Sequence, residues 1–314
     1  MINNKDNYCI KAENLSKHYG DLKAVDDITF QVEQGVIFGM LGPNGAGKTT
    51  TIETLIGLTD RTSGNISVLG LDPKSDQMEL KQKVGVQLQS PSLFPRLTVQ
   101  EMIGLFASFY EESFSEDKAV SMVGLEDKMQ TRIESLSGGQ HHRLAVALAL
   151  LSNGDIIFLD EPTTGLDPQA RRKLWEVIEE MKSLGKTVFL TTHYMEEAEE
   201  LCDDLLIIDH GEIIARGGPT ELINEYFQER TIEFADPGFQ KESLQKLEAL
   251  DHVTHLEQDE NSELIFLYTD DAASTMNDLM HFGENNGDEI VNLNLRRPTL
   301  EDLFLKLTGR KIRE

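Results

Sequence analysis

The stretch "GPNGAGKTT", from Gly42 to Thr50, constrains this chain more than any other. It fits the pattern G-x-x-x-x-G-K-[ST], whose glycines let the backbone aim its N–H groups at phosphate oxygens. An apolar run, "GVIFGML", precedes it and reads as a buried strand; "TTTIETLIGL" follows with helical spacing. Strand, glycine loop and helix is the setting in which this pattern binds a nucleotide. It predicts an α/β fold with Gly42, Pro43, Asn44, Gly45, Ala46, Gly47, Lys48, Thr49 and Thr50 around the phosphates. Lys48 is the cation for the β- and γ-phosphates, and the Thr49 hydroxyl is a ligand for Mg²⁺.

Two further apolar runs end on reactive side chains. "DIIFLDEPTTGLD", from Asp155, reads as a parallel strand buried on both faces. Ligands of such sheets lie at the carboxyl ends of the strands. Asp160 is therefore expected beside Mg²⁺, and Glu161 is placed to orient and polarise an attacking water. "TVFLTTH" ends on His193, which from a neighbouring strand end can reach a γ-phosphate. A second small-residue turn, "LSGGQHHRL" from Leu136, opens an apolar helix and carries no lysine.

These four stretches, in this order and spacing, resemble the ATP-binding cassette (ABC) family from about Ile10 to Gly218. The resemblance implies a P-loop NTPase cassette: a RecA-like core, an antiparallel β subdomain and a helical signature subdomain. It adds Gln89 of "VGVQLQSPSLFPRLTVQE" as the Q-loop glutamine touching Mg²⁺ and water, and Tyr19 of "LSKHYGDLKAV" as the aromatic that stacks on adenine. It implies head-to-tail pairing of two cassettes, with Ser137, Gly138, Gly139 and Gln140 of one chain against the ATP held by Lys48 of the other. Asp167 matches the D-loop that crosses that interface. A γ-phosphate shared between two chains is a differential contact that shifts a monomer–dimer equilibrium. The partner is a second copy or a related subunit, because a second phosphate loop or signature is absent downstream.

His141 and His142 stand where family members often carry Lys or Arg; solvent-facing helix positions are the preferred reading over a pH-dependent contact. Beyond "GEIIARGGPTELIN" the pattern changes. "TIEFA", "ELIFLYT" and "EIVNLNLRRPT" read as strands, and "GFQKESLQKLEAL" and "AASTMNDLMHF" as amphipathic helices. In "PTLEDLFLKLTGR", Thr299 is a helix N-cap with Asp302 at the capping-box position, and Gly309 a stop. The expected organisation is a cassette over 1–226 and a small α/β sandwich over 227–314. The tail is similar to that of type-2 exporter cassettes, which implies an ATPase powering a separate membrane permease. Phe94 and Pro95 are candidates for the rim that the permease contacts.

Bulk properties agree. Of 314 residues, 39% are apolar, enough for a sizeable core, yet no apolar run is long enough to span a bilayer. The first ten residues lack the layout of a secretory signal, and two cysteines make no disulfide framework, so a cytoplasmic location on the inner membrane face is expected. A net charge of −26 repels nucleic acid; it serves solubility or draws a basic partner surface, and charge alone does not choose. The alternatives are a soluble cassette ATPase acting on ribosomes or nucleic acid, and an inactive ATP clamp. The charge opposes the first. Lys48, Asp160, Glu161 and His193 oppose the second.

Overall fold

The computed structural model describes residues 7–89, 92–227, 230–235, 238–259, 264–286 and 290–309. The first six residues, part of the stretch read for a secretory signal, lie outside them. The described residues divide into two compact units, with the break between Pro219 and Thr220.

In the first unit the elements run β1 (Tyr8–Tyr19), β2 (Leu22–Glu33), β3 (Ile37–Leu41), α1 (Lys48–Leu55), β4 (Ser63–Val68), α2 (Gln77–Lys83) and β5 (Val84–Gln87). Then come α3 (Val99–Ala107), α4 (Glu116–Met122), α5 (Gly138–Leu150), β6 (Ile156–Asp160), α6 (Pro168–Ser183), β7 (Thr187–Thr192), α7 (Met195–Leu201), β8 (Asp204–Asp209) and β9 (Glu212–Gly217). Strands β2-β1-β4 form an antiparallel sheet. A six-stranded sheet has the order β5-β6-β7-β3-β8-β9, parallel except for β9.

Strands β3, β6 and β7 are buried at every position, as expected for parallel strands covered on both faces. An apolar core ties the two sheets together. At its centre Phe38 lies 5.3 Å from Phe189, and Phe158 5.5 Å from Phe189, ring centre to ring centre; Phe30 of β2 reaches Phe38 at 6.0 Å. Such aromatic pairs add to the area they bury. Helix α5 is buried continuously from Leu144 to Leu150, as a helix apolar on all sides must be. It approaches β5 so closely that a Cβ on Gly85 would meet the Ala149 carbonyl at 2.2 Å.

Register decides where function sits. In β3 and β7, Leu41 pairs with Thr192; in β6 and β7, Asp160 pairs with Thr191. The carboxyl ends of three adjacent strands are thus level, and residues 42–49, 161 and 193 leave them on one edge of the sheet.

The second unit contains most of α8 (Pro219–Tyr226), then β10 (Arg230–Ala235), α9 (Lys241–Glu248), β11 (Val253–Asp259), β12 (Leu264–Thr269), α10 (Ala272–Asn286), β13 (Asn294–Arg296) and α11 (Leu300–Thr308). Its antiparallel sheet, β11-β12-β10-β13, is the order of a split β-α-β motif. The core of this unit centres on Ile232, Phe234, Leu247, Ile265, Leu267 and Leu279. Helix α11 has the expected capping box, with Thr299 and Asp302 bonded reciprocally, and ends on Gly309 in the left-handed conformation. The last strand is shorter than its sequence suggests, and β11 was not anticipated. The units divide after the first residue of α8, seven residues ahead of the boundary read from sequence.

Candidate functional site

The phosphate loop follows β3. Gly47 has φ of 108°, and a Cβ there would lie 2.3 Å from the Ala24 carbonyl oxygen, so only glycine fits. Helix α1 starts at Gly47 with no side-chain cap and no acid in its first turn. Its first N–H groups thus remain available for an anion. Tyr19 is half-exposed at the end of β1, with Lys17 Nζ 4.7 Å above its ring. It pairs with Leu22 across the hairpin that leads to Ala24, the residue backing Gly47.

Lys48 is 4% exposed. Its Nζ donates to the carbonyls of Gly42 (2.8 Å) and Pro43 (3.1 Å) and lies 3.0 Å from Glu161 Oε1. Both members of this ion pair are buried, so each depends on the other and on hydrogen bonds for compensation. Glu161 Oε2 accepts from Gln89 Nε2 (3.1 Å) and Thr164 Oγ1 (3.2 Å), and His193 Nδ1 stands 3.2 Å from it. Residues from three strand ends and the segment after β5 therefore converge on one carboxylate. Burial pushes the Glu161 carboxyl up, but His193 and Lys48 outweigh it and hold it at about 2. The Glu161 backbone sits at φ of 48°, in the left-handed region, a strained choice for glutamate.

Asp160 is fully buried. Its Oδ1 accepts from Thr191 (2.6 Å) and Thr49 (3.3 Å), and its Oδ2 has no partner. Burial pushes this carboxyl up, opposite to its neighbour. The Asp160 carboxylate, Thr49 hydroxyl and Gln89 amide offer oxygen only, the donor type a hard divalent cation takes, and the unpartnered Oδ2 suits it. No group of three His, Cys, Asp or Glu placed to hold a metal occurs among the described residues. A cation here would need phosphate oxygens and water to complete its shell.

The second turn is bonded chiefly to itself and packs against the start of α6. Ser137 caps α5: its hydroxyl accepts from Gln140 N, and the Gln140 side chain accepts from Ser137 N. Ser137 and Gly138 are exposed. Gly139 faces Leu166 and Ala170, and Asp167 caps α6 by accepting from Ala170 N at 2.9 Å. Among the described residues, no hydrogen bond or ion pair joins residues 137–140 to residues 42–50 or to Asp160 and Glu161.

The structure corrects one expectation. His142 is not simply solvent-facing: like His141 it is only partly exposed. His142 Nδ1 is buried without a partner, and burial pushes the imidazole down. The cause is packing near Pro162, which helical periodicity cannot reveal.

Sequence reasoning missed Gln87, Thr164 and Thr191. Gln87 is 2% exposed, and its amide donates to the Asp160 carbonyl at 3.4 Å. The signal for Thr191 was present, as a polar residue inside the apolar run "TVFLTTH".

A family profile described as ABC transporter matches residues 25–164. The chain is 35% identical over 310 residues to the linearmycin resistance ATP-binding protein LnrL of Bacillus subtilis, spanning 97% of this chain and 100% of that protein. It is 38% identical over 312 residues to Nod factor export ATP-binding protein I of Cupriavidus metallidurans, spanning 97% and 99%. Among solved structures, an ATP-binding subunit of an ABC transporter superposes with a TM-score of 0.64 at 29% identity, over 69% of this chain and 93% of that one. A dimeric cassette in a post-hydrolysis state, bound to ADP and Pi, gives a TM-score of 0.61 at 26% identity, over 67% and 98%. With this fold, site and set of relatives, the chain belongs to the ABC transporter family as an ATP-binding, ATP-hydrolysing subunit.

Proposed function

We propose that this chain is the peripheral engine of a membrane exporter, working as a pair of cassettes on the cytoplasmic face of the membrane. The carrying observation is that, among the described residues, no hydrogen bond or ion pair joins the lysine cluster to the signature turn within one chain. In our reading Gly42–Thr50 cradle the triphosphate, Lys48 neutralises it, and Tyr19 stacks on adenine. Thr49, Asp160 and Gln89 would hold Mg²⁺, which would supply positive charge against the phosphates. Glu161, kept ionised by Lys48 and His193, accepts a hydrogen bond from the attacking water and orients it. Gln89 fixes the other side of that carboxylate, and His193 reaches the γ-phosphate. Ser137, Gly138, Gly139 and Gln140 of the second cassette close over the same phosphate, and Asp167 lies along the seam. Closure excludes bulk water and strengthens every charge contact inside.

Among the described residues no helix is long and apolar enough to cross a membrane, so transport requires a separate permease. A groove of about 450 Å³ lined by Ile56, Leu58, Met78, Leu88, Phe109 and Tyr110 runs beside the Gln89 segment. Leu58, Met78 and Phe109 are more than half exposed. We assign this groove to a short cytoplasmic helix of the permease, with exposed Phe94 and Pro95 as an outer contact. Export is carried over from relatives named for linearmycin resistance and Nod factor export. The alternative of a soluble ribosome- or nucleic-acid-acting ATPase finds no relative among them. Residues 227–314 we assign to support of the dimer or its regulation.

Affinity purification of the chain from membranes tests the reading: an integral membrane protein that co-purifies and stimulates its ATP turnover supports it. A chain that turns over ATP but recovers no such protein contradicts the transport assignment.

A further inference from the structure

Helix α6 directs two side chains one turn apart, Arg171 and Trp175, at the segment carrying His193. The Arg171 guanidinium lies 4.2 Å from the centre of the Tyr194 ring, and that ring lies 4.2 Å from the His193 imidazole, centre to centre. Charge over a ring face is attractive, more so when water is excluded. One turn further, Trp175 Nε1 donates to Glu197 Oε1 at 3.0 Å. Glu197, in α7, is completely buried. Its Oε2, the Arg171 Nε and the Thr163 Oγ1 are all buried without partners. Three unpaired polar atoms oppose stability, so a purely structural contact would have been better built from apolar side chains.

The same helix begins at the second turn. Asp167 caps it, and Ala170, one residue before Arg171, faces Gly139. Two contacts spaced along α6 fix the His193 segment against rotation as well as sliding. A displacement of the His193 backbone moves Tyr194, the next residue, against the Arg171 guanidinium.

We propose that Arg171 and Trp175 are positioning residues for His193, holding its imidazole against Glu161 and tying its place to the α6 end that abuts the signature turn. This rests on the ATPase reading above. In a pair of cassettes, contact of His193 with ATP is thereby relayed to Asp167 and Gly139 of the same chain.

Trp175 is the only tryptophan in the chain, so its emission reports on this contact directly. In a Glu161→Gln background, where ATP stays bound, addition of ATP and Mg²⁺ shifts Trp175 emission. His193→Ala in that background abolishes the shift while a fluorescent ATP analogue still binds. This arm keeps Trp175 native, so it does not depend on a tryptophan variant folding. In turnover assays Trp175→Phe, which keeps the ring and removes the donor, and Arg171→Met, which keeps the stem, each lower kcat about tenfold with KM for ATP within twofold. The acceptor that Trp175 meets is a single Glu197 oxygen, Oε1. Glu197→Gln keeps an amide oxygen as that acceptor and stays near the parent kcat, whereas Glu197→Ala falls with Trp175→Phe. An emission shift undiminished in His193→Ala, parent kcat in both α6 variants, or Glu197→Gln as impaired as Glu197→Ala overturns the proposal alone. Absence of ATP turnover in the unaltered chain overturns the ATPase reading and this link together.

Discussion

The lysine cluster and the signature turn are both glycine-rich segments at the start of a helix, yet they differ in almost every physical respect. The first is buried and over-connected: Glu161 alone is contacted by Lys48, Gln89, Thr164 and His193, which arrive from four segments. The second is exposed and bonded to itself through the Ser137–Gln140 capping box. Helix α1 leaves its first N–H groups uncapped, whereas α5 spends one on a serine. One region is a finished half-site whose charges are already placed. The other is a rigid surface feature whose hydroxyl and glycine N–H groups become useful only when something is brought to them. On the function proposed above, a chain with one of each is completed by another chain.

The largest effect follows from Glu161→Gln. Turnover is expected to fall on the order of 100-fold or more, the scale of losing a general base, with ATP still bound. Phosphate release and equilibrium nucleotide binding, measured on one preparation, check this. Parent-like turnover would remove Glu161 from the chemistry and break the contrast at its buried end.

The two acids of the lysine cluster also answer to pH in opposite ways. Glu161 is held at about 2 against an ordinary 4.5, so its stabilising contribution is whole above about pH 4.5 and is lost as pH falls toward 2. That shift corresponds to about 3 kcal/mol. Asp160 is shifted upward by burial, so its protonation on acidification relieves a cost. The gap in unfolding free energy between the parent chain and Glu161→Gln should therefore narrow between pH 5 and pH 3. Urea titrations at the two values measure it. A gap that stays constant contradicts the assigned partners of Glu161.

The smallest effect sharpens the exposed end. Ser137→Ala and Thr299→Ala each remove a capping-box hydroxyl, and each should cost about 1 kcal/mol of stability. Only the first should weaken association in the presence of ATP, because only Ser137 belongs to the signature turn. Denaturant midpoints and sedimentation velocity with ATP separate the two. Equal loss of association in both variants would reduce Ser137 to a helix cap.

Much of this was legible in the sequence because covalent order encodes it. Gly42–Thr49 is one contiguous segment, and apolar runs ending at Asp160, Glu161 and His193 announce strand ends on a shared edge. What escaped was set by tertiary approach. Gln87 lies two residues from Gln89 in a segment where periodicity gives no reason to prefer either. Thr191 and Thr164 matter because of what register and the turn after β6 place beside them. His142 looks like an exposed helix position until packing near Pro162 is known. In the second unit β11 was missed because "VTHLEQD" is too polar to alternate clearly, although its partner β12 pairs with it over its length. The contact between Trp175 and Glu197 joins residues 22 apart and has no signature in either helix.

The most direct measurement is the mass in solution of the Glu161→Gln chain with ATP and Mg²⁺, with ADP, and with ATP after a further Ser137→Arg change. The account predicts twice the chain mass with ATP, and the single-chain mass with ADP or with the arginine in place. A single-chain mass with saturating ATP, or a dimer indifferent to Ser137→Arg, would contradict it.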